Sequence, residues 1–387
     1  MKKIETRLGL YRVGDKTFDN SYSAMVEGTR TNQKVIFDFN EHIFSAIDWT
    51  IPIETPLNVL YAMRAKQLRD EYDYLILNFS GGKDSTNILL TFINNGIFLD
   101  EIVMHYPFPL ESKFNKDDTT NENHFSEIKF AAIPILEKYS SKIDPKTVIR
   151  FRDISEAHLK FFARDDWFDI LSFNCTPSAC RAVHMLYDEK LINLAMKQKN
   201  VGNIFGVDKP RMTYHQGNFY SGFHDIPMGF MSPSSLPEYQ AMFGKYIHNE
   251  SFYWTASLPQ LPIKQSQVIA KALDIDTLLR YTIVVQSQLK NSDDIHKTMV
   301  LREMLMAKYL YDDKEFVWQT DKVTFNLVRK MDDWFWELAP INTKSNYIDA
   351  YRQMSKMMDS EYFIGGNILN GKKPLVSGKY LVKRDGV

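Results

Sequence analysis

The chain has 387 residues, 44% hydrophobic and 13% aromatic, which exceeds the usual size of one hydrophobic core and predicts about two or three packed units. A formal net charge of −1 argues against a strongly basic surface for nucleic-acid phosphates, and two cysteines exclude a disulfide framework and favour a reducing compartment. No stretch approaches the roughly 18 consecutive apolar residues of a membrane span, and the charged start lacks the apolar core of an export signal, so we predict a soluble cytoplasmic protein without a membrane partner.

Residues 1–55 predict a small β-rich extension. Residues 8–13 and 35–39 are strand-like, and a stretch rich in Gly, Asp, Asn and Ser separates them. Residues 56–72 then repeat apolar side chains at helical spacing. This pattern predicts a helix that packs beside the first strand of a following sheet.

Strand-like and helical stretches alternate from residue 73 to about residue 230. This alternation predicts an α/β domain, assigned to residues 56–233, with a parallel, doubly wound sheet and right-handed crossovers. Ligands of such sheets bind beyond the carboxyl ends of the strands, where we expect Ser80, His105, Asp153 and Asp208 to lie. The predicted strands cover residues 74–79, 101–106, 146–151 and 201–207, and the predicted helices run up to residue 95 and over residues 123–139 and 177–198.

Long helical patterns dominate from residue 234 onward, so residues 234–387 predict a helical C-terminal domain for substrate binding or interaction. Residues 371–387 hold five basic side chains and one acid, which favours a solvated hairpin or tail, with an anion-binding patch as the alternative. Aromatic-rich residues 214–225 favour a packed β-hairpin, with a wall of an acceptor pocket as the alternative. The predicted helices of this region cover residues 264–288, 295–311, 323–336 and 346–358.

The pattern of a buried strand at residues 74–79 continues directly into a glycine turn and a helix start. Glycine lacks a Cβ, so the backbone N–H groups of such a turn can approach an anion, and the helix N-terminus adds unpaired N–H groups and a positive dipole end. The turn differs from the Gly-x-x-x-x-Gly-Lys-Ser/Thr loop of common nucleotide triphosphatases, because aspartate follows its lysine. It consists of Ser80, Gly81, Gly82, Lys83, Asp84 and Ser85.

These six residues resemble Ser-Gly-Gly-x-Asp-Ser, the pyrophosphate loop of the PP-loop ATP pyrophosphatases, also called adenine nucleotide alpha hydrolases. That superfamily includes asparagine synthetase, NAD synthetase, tRNA thiolases and phosphoadenosine phosphosulfate reductase. The resemblance implies the adenine nucleotide alpha hydrolase-like fold, with ATP and Mg²⁺ as ligands. It implies that the six residues hold pyrophosphate, and that Lys83, Asp84 and Asp208 are catalytic, with Asp84 and Asp208 also positioning Mg²⁺.

The same resemblance extends to later positions. His105 ends the second predicted strand beside the expected nucleotide, and a purely structural histidine is the other interpretation. The residues after the fourth predicted strand are placed like the Gly-x-Arg segment of the reductase-like branch, with Asp208 where arginine is expected. Lys209 and Arg211 are then candidates to bind phosphates or a second anionic substrate. The polar stretch at residues 111–123 predicts either a lid over the nucleotide or a plain solvated loop.

Both cysteines lie in one short segment. Cys175, Thr176 and Arg181 resemble the Cys-Thr and following basic residue that many reductase-like members carry at a helix start, and Cys180 is additional. A thiol at a helix N-terminus near an arginine has a lowered pKa, which makes Cys175 and Cys180 candidate reactive thiols. Buried structural cysteines are the alternative, and two cysteines leave a tetrahedral metal site incomplete.

The leading functional hypothesis is an ATP-dependent adenylating enzyme of ligase or amidotransferase type. It would cleave ATP to AMP and pyrophosphate to activate a carboxylate or amide oxygen for attack by a nitrogen nucleophile. The helical C-terminal half is loosely similar to the substrate half of asparagine synthetase, but no glutaminase nucleophile is visible near the start. The expected partners are therefore ATP and an acceptor substrate, and ammonia or sulfur would come either from a free pool or from a separate donor protein. The alternatives are a sulfur-handling reductase or thiolase that uses Cys175, and a nucleotide-binding protein without turnover.

Overall fold

The structure is a computed structural model that describes residues 7–113, 124–167, 177, 181–207, 209–231, 245–286, 288–289, 292–311, 332–357 and 373–384. The strands of this part are β1 Leu10–Val13, β2 Lys16–Phe18, β3 Ile36–Asp38, β4 Tyr74–Asn78, β5 Glu101–Tyr106, β6 Val148–Asp153, β7 Val201–Phe205, β8 Thr213–His215, β9 Asn218–Ser221, β10 Ile247–Ser251 and β11 Tyr380–Arg384. The helices are α1 Ser21–Thr31, α2 Glu41–Phe44, α3 Leu57–Glu71, α4 Lys83–Asn94, α5 His124–Glu127, α6 Ile133–Lys138, α7 Ser155–Phe162, α8 Arg181–Met185, α9 Glu189–Met196, α10 Ile226–Met231, α11 Gln260–Ala272, α12 Thr277–Gln286, α13 Ser292–Leu310, α14 Asp333–Leu338 and α15 Ile341–Met357. None of these helices has the length and apolar character that a membrane crossing needs.

The first three strands form an antiparallel sheet in the order β2-β1-β3, which confirms the strand-like stretches predicted at residues 8–13 and 35–39. Helix α1 lies between β2 and β3, where the sequence favours a turn-rich connection. The polar residues of that stretch cap the helix. Asn20 accepts a hydrogen bond from the Ser23 N–H at 3.0 Å, and Asn32 ends the helix in the left-handed region at φ 53°. In the sequence these asparagines suggest turns, whereas in the structure they begin and end helix α1.

The largest sheet has five parallel strands in the order β10-β7-β4-β5-β6. The chain is therefore an α/β protein, and the four predicted strands of the sheet are confirmed. From β4 the chain moves outward through β5 to β6, and it then returns to β7 on the other side of β4. The carboxyl ends of β4 and β7 thus flank the point where the strand order reverses, which is where open α/β sheets bind ligands.

The sequence does not predict β10. Its five residues include one aliphatic side chain, Ile247, so the apolar run that marks a buried parallel strand is missing. The strand can be buried nevertheless because its charged side chain is paired: Glu250 accepts hydrogen bonds at 2.7 Å from both Arg64 and Arg7. The sheet therefore includes a strand from beyond residue 233, where the sequence predicts the helical domain to begin.

Two of the predicted long helices are interrupted by aspartate caps. In the described part of residues 177–198, α8 and α9 are separate, and the Asp188 carboxylate accepts from the N–H groups that begin α9. Within residues 264–288, α11 ends and α12 begins where Asp276 accepts from the Leu279 N–H at 2.8 Å. Aspartate competes well for helix N-termini, which explains both breaks.

The C-terminal residues pair with the middle of the chain. The predicted hairpin is confirmed as β8 and β9, joined through Gln216 at φ 46° and Gly217 at φ 74°, the two left-handed residues of a type I′ turn. Strand β11 adds to this hairpin in the order β11-β9-β8. The prediction of a solvated hairpin or tail for residues 371–387 is therefore wrong over Tyr380–Arg384, because strand pairing holds this segment against β9.

Candidate functional site

The glycine turn between β4 and α4 has a conformation that depends on Gly81. Gly81 lies at φ +76°, in the left-handed region, and Gly82 is the N-cap of α4 without a side-chain cap. A Cβ on Gly81 would lie 2.7 Å from the carbonyl carbon of Ala131 and the Cα of Ala132, and closer still to the Ala132 nitrogen. These alanines end a π-helical turn, Ile128–Ala132, inside the predicted helix at residues 123–139. The turn is therefore seated against helix backbone, with its own N–H groups at the start of α4.

The hydroxyls of the motif brace the turn. Ser85 Oγ donates to the Gly82 carbonyl at 3.1 Å and accepts from the Ser80 N–H at 3.3 Å. Thr86 Oγ1 donates to the Gly81 carbonyl at 3.3 Å. Because these bonds join both ends of the turn, its backbone is held in shape before any ligand binds.

Asp84, in the first turn of α4, is paired with the ammonium group of Lys209. The Lys209 Nζ lies 2.7 Å from Oδ1 and 2.9 Å from Oδ2 of Asp84, and the lysine side chain is only 7% exposed. The Tyr311 hydroxyl donates a further hydrogen bond to Asp84 Oδ1. Glu303 Oε2 lies 3.2 Å from the same ammonium group. Two predicted site residues, Asp84 and Lys209, are thus brought together in one ion-pair cluster.

Two buried tyrosines surround Asp84. Tyr253 donates to the Asp84 backbone carbonyl at 2.7 Å and accepts from Asn87 Nδ2 at 3.1 Å, while Tyr311 bonds the Asp84 carboxylate. Burial first, and then the charge of Asp84, raises the pKa of both hydroxyls well above the usual tyrosine value. Both hydroxyls therefore remain protonated and act as donors. The sequence gives no motif for either role, because the tyrosines lie 169 and 227 residues from Asp84.

His105 belongs to a row of polar side chains that crosses four strands. Its Nε2 lies 3.1 Å from Asn78 Oδ1, Asn78 Nδ2 donates to Asn203 Oδ1 at 2.7 Å, and Asn203 Nδ2 donates to Asn249 Oδ1 at 2.9 Å. The His105 ring also packs on His184 of α8, with 4.8 Å between ring centroids. These contacts agree with the structural interpretation of His105, and its contact with a nucleotide stays a prediction.

Other predicted residues have different positions. Asp153 ends β6 as expected, but its carboxylate accepts from the N–H groups of Phe108 at 3.1 Å and Ser155 at 2.9 Å, and thus caps the start of α7. Arg211 follows β7 and is half-buried. Asp208, Cys175 and Cys180 lie outside the described residues, as do residues 114–123 of the predicted lid.

Two further residues lie near the turn: Glu127, which the sequence does not single out, and Gly206, the glycine of the segment that resembles Gly-x-Arg. Glu127 is 1% exposed, and its Oε1 lies 3.8 Å from the position of a Cβ on Gly82. Gly206, after β7, allows the close approach of α4, since a Cβ there would lie 3.1 Å from the Ser85 nitrogen. Only the folded chain shows that these residues face the same turn.

The described carboxylates do not form a ready site for magnesium. Mg²⁺ requires near-octahedral oxygen ligands at about 2.0–2.1 Å, whereas both oxygens of Asp84 contact the Lys209 ammonium group. Over the residues that the structure describes, no group of three or more His, Cys, Asp or Glu side chains could hold a metal ion. The predicted Mg²⁺ role of Asp208 falls outside the described residues.

No protein-family model matches the chain, and no curated protein matches its sequence significantly. Function must therefore be inferred from the chemistry and geometry of the site.

Proposed function

We propose that this chain is an ATP-dependent adenylating enzyme that cleaves ATP to AMP and pyrophosphate. The proposal extends the resemblance to PP-loop ATP pyrophosphatases, and with it the adenine nucleotide alpha hydrolase-like, doubly wound form of the sheet. Its support is the six-position match of Ser80 to Ser85 to the pyrophosphate loop, together with the place of this turn at the reversal of strand order. The substrates would be ATP and an acceptor with a carboxylate or amide oxygen.

The observation that carries the proposal is the conformation of Gly81. A left-handed glycine seated on Ala132 lets the chain enter α4 with the first N–H groups of the helix directed past the carboxyl end of β4. Such N–H groups, with the positive end of the helix dipole, favour an anion. The braces from Ser85 and Thr86 fix these groups in advance, which reduces the ordering cost of binding.

The residues around the turn suit pyrophosphate as a leaving group. Lys83 begins α4, and Lys209 lies beside its first turn, so two ammonium groups accompany the backbone N–H donors. In the proposed step the acceptor oxygen bonds to the α-phosphorus while the bond from that phosphorus to the bridging oxygen breaks. The charge that develops on pyrophosphate is stabilised by these fixed donors. A nitrogen nucleophile then displaces AMP from the adenylate.

The direct test incubates the protein with ATP, Mg²⁺ and a panel of carboxylate and amide acceptors, and follows the products by ³¹P NMR. We expect AMP and pyrophosphate in equal amounts, and ADP with phosphate would contradict the proposal. Gly81→Ala should abolish this activity. Gly96→Ala is the matched control, because Gly96 is also left-handed, at φ +63°, but apart from its chain neighbours no described residue has an atom within 4 Å of a Cβ there.

The same assay separates the two alternatives. Replacing Cys175 and Cys180 together by serine should leave adenylation intact, whereas loss of activity would favour the sulfur-handling reductase or thiolase. ATP binding without pyrophosphate release, with every acceptor tried, would favour the nucleotide-binding protein without turnover.

A further inference from the structure

Lys209 lies between two acidic side chains next to the glycine turn. Its ammonium group contacts Asp84 on α4 at 2.7 Å and Glu303 on α13 at 3.2 Å. Tyr311, directly after α13, donates to the same Asp84 oxygen. Two distant parts of the chain, α4 and the segment from Glu303 to Tyr311, thus fix one cation beside the first turn of α4.

The described residues of this cluster carry charges of both signs. Asp84 and Glu303 face Lys209, and Arg302 lies 3.5 Å from the Glu303 carboxylate. Among the described residues, two positive groups therefore accompany two negative ones, and the two basic side chains, Lys209 and Arg302, are the buried members. An additional divalent cation on Asp84 would be repelled at short range by the ammonium group, since both carboxylate oxygens contact that group.

We infer that the Lys209 ammonium group binds the pyrophosphate part of the nucleotide. Asp84 and Glu303 position this ammonium group, and Asp84 is not a magnesium ligand. This inference rests on the proposed function. Asp84 is then a positioning residue, and the lysine supplies charge that a metal would otherwise supply. The C-terminal helix α13 completes the site, because it carries Glu303.

Metal binding to the full-length, nucleotide-free protein tests the role of Asp84. Mn²⁺ would be titrated alone and followed by electron paramagnetic resonance. Wild type and Asp84→Asn should bind Mn²⁺ alike. Lys209→Met frees the carboxylate and should tighten Mn²⁺ binding by about tenfold, and the double variant with Asp84→Asn should lose this gain. Weaker Mn²⁺ binding in Asp84→Asn, with no gain in Lys209→Met, would overturn the inference.

Pyrophosphate binding without metal tests the role of Lys209. By calorimetry, Lys209→Met should bind pyrophosphate about tenfold more weakly, the loss expected for one charge-assisted contact. Lys66→Met is the matched control, since Lys66 is 71% exposed and pairs with Asp70 on α3. Equal affinity of the two variants would overturn the inference.

A second variant covers the case in which Lys209→Met does not fold. Glu303→Gln keeps a side-chain oxygen that can accept a hydrogen bond from the Lys209 ammonium group, so the positioning is retained. It removes one negative charge beside the anion site, so pyrophosphate should bind about threefold more tightly. Unchanged or weaker binding would contradict the inference. If wild type binds neither pyrophosphate nor ATP, the proposed function fails, whereas the Mn²⁺ comparison still reports whether Lys209 or a metal neutralises Asp84.

Discussion

Replacing Gly81 by alanine should destabilise the protein more than the same change at Gly96. Both glycines are left-handed, a conformation that costs an alanine about 1–2 kcal/mol. Alanine also lowers the conformational entropy of the unfolded chain, which stabilises the folded protein by about 0.4–1 kcal/mol. At Gly96, apart from its chain neighbours, no residue in the described part of the chain has an atom within 4 Å of the new Cβ. The conformational cost is therefore the whole expected effect, about 1 kcal/mol.

Gly81 adds a steric cost. The new Cβ would lie 2.7 Å from backbone atoms of Ala131 and Ala132, whereas ordinary carbon contacts lie at about 3.5–4.0 Å. Backbone of the helix or of the turn must therefore move by about 1 Å, and overpacking of this kind costs about 1–3 kcal/mol. We expect Gly81→Ala to lose about 2–4 kcal/mol in total.

Urea unfolding followed by tryptophan fluorescence measures both variants, with the midpoints compared at an unchanged slope. The strain at Gly81 acts where the anion would bind, so pyrophosphate affinity should fall in Gly81→Ala and not in Gly96→Ala. Equal free energies of unfolding for the two variants, within about 0.5 kcal/mol, would refute the seating of Gly81 on the π-helical turn.

Three further predictions concern buried polar contacts. Glu250→Gln removes the carboxylate partner of buried Arg64 and should lower the free energy of unfolding in urea by about 3–5 kcal/mol. Ion pairing holds the pKa of Glu250 below its usual 4.5 despite burial, so the stabilisation by this carboxylate is complete above pH 4.5 and is lost as the pH falls through the lower pKa of the folded state. The variant should therefore lose less stability than wild type on acidification, and an equal loss would contradict the ion pairing. Tyr311→Phe should lose about 1–3 kcal/mol by the same measurement, and no loss would argue against its bond to Asp84. Asn203→Leu should lose about 1–3 kcal/mol for each amide left without its partner, while the exposed Asn58→Leu should stay within about 0.5 kcal/mol, and equal values would show that the polar row contributes nothing.

The strands of the parallel sheet could be predicted where aliphatic residues run together, as in β4 and β7, and the turn after β4 could be predicted from its glycines and serines. Strand β10 could not, because buried ion pairs replace the apolar run and no local pattern reports a partner such as Arg64. The candidate site likewise contains residues that could be predicted from the sequence and residues that could not. Asp84 lies inside a local motif, whereas Tyr253 and Tyr311 reach it only through tertiary packing.

The polar row under α8 explains how the two strands at the candidate site keep their alignment. Parallel strands buried on both faces are usually apolar, yet Asn78, Asn203 and Asn249 lie on three neighbouring strands and bond in sequence, each amide nitrogen donating to the next oxygen. A slip of one strand by one residue would turn its asparagine to the other face and leave buried amide groups without partners. The row therefore fixes the register of β4 against β7. Since the glycine turn follows β4 and Lys209 follows β7, this register also sets the distance between Asp84 and Lys209.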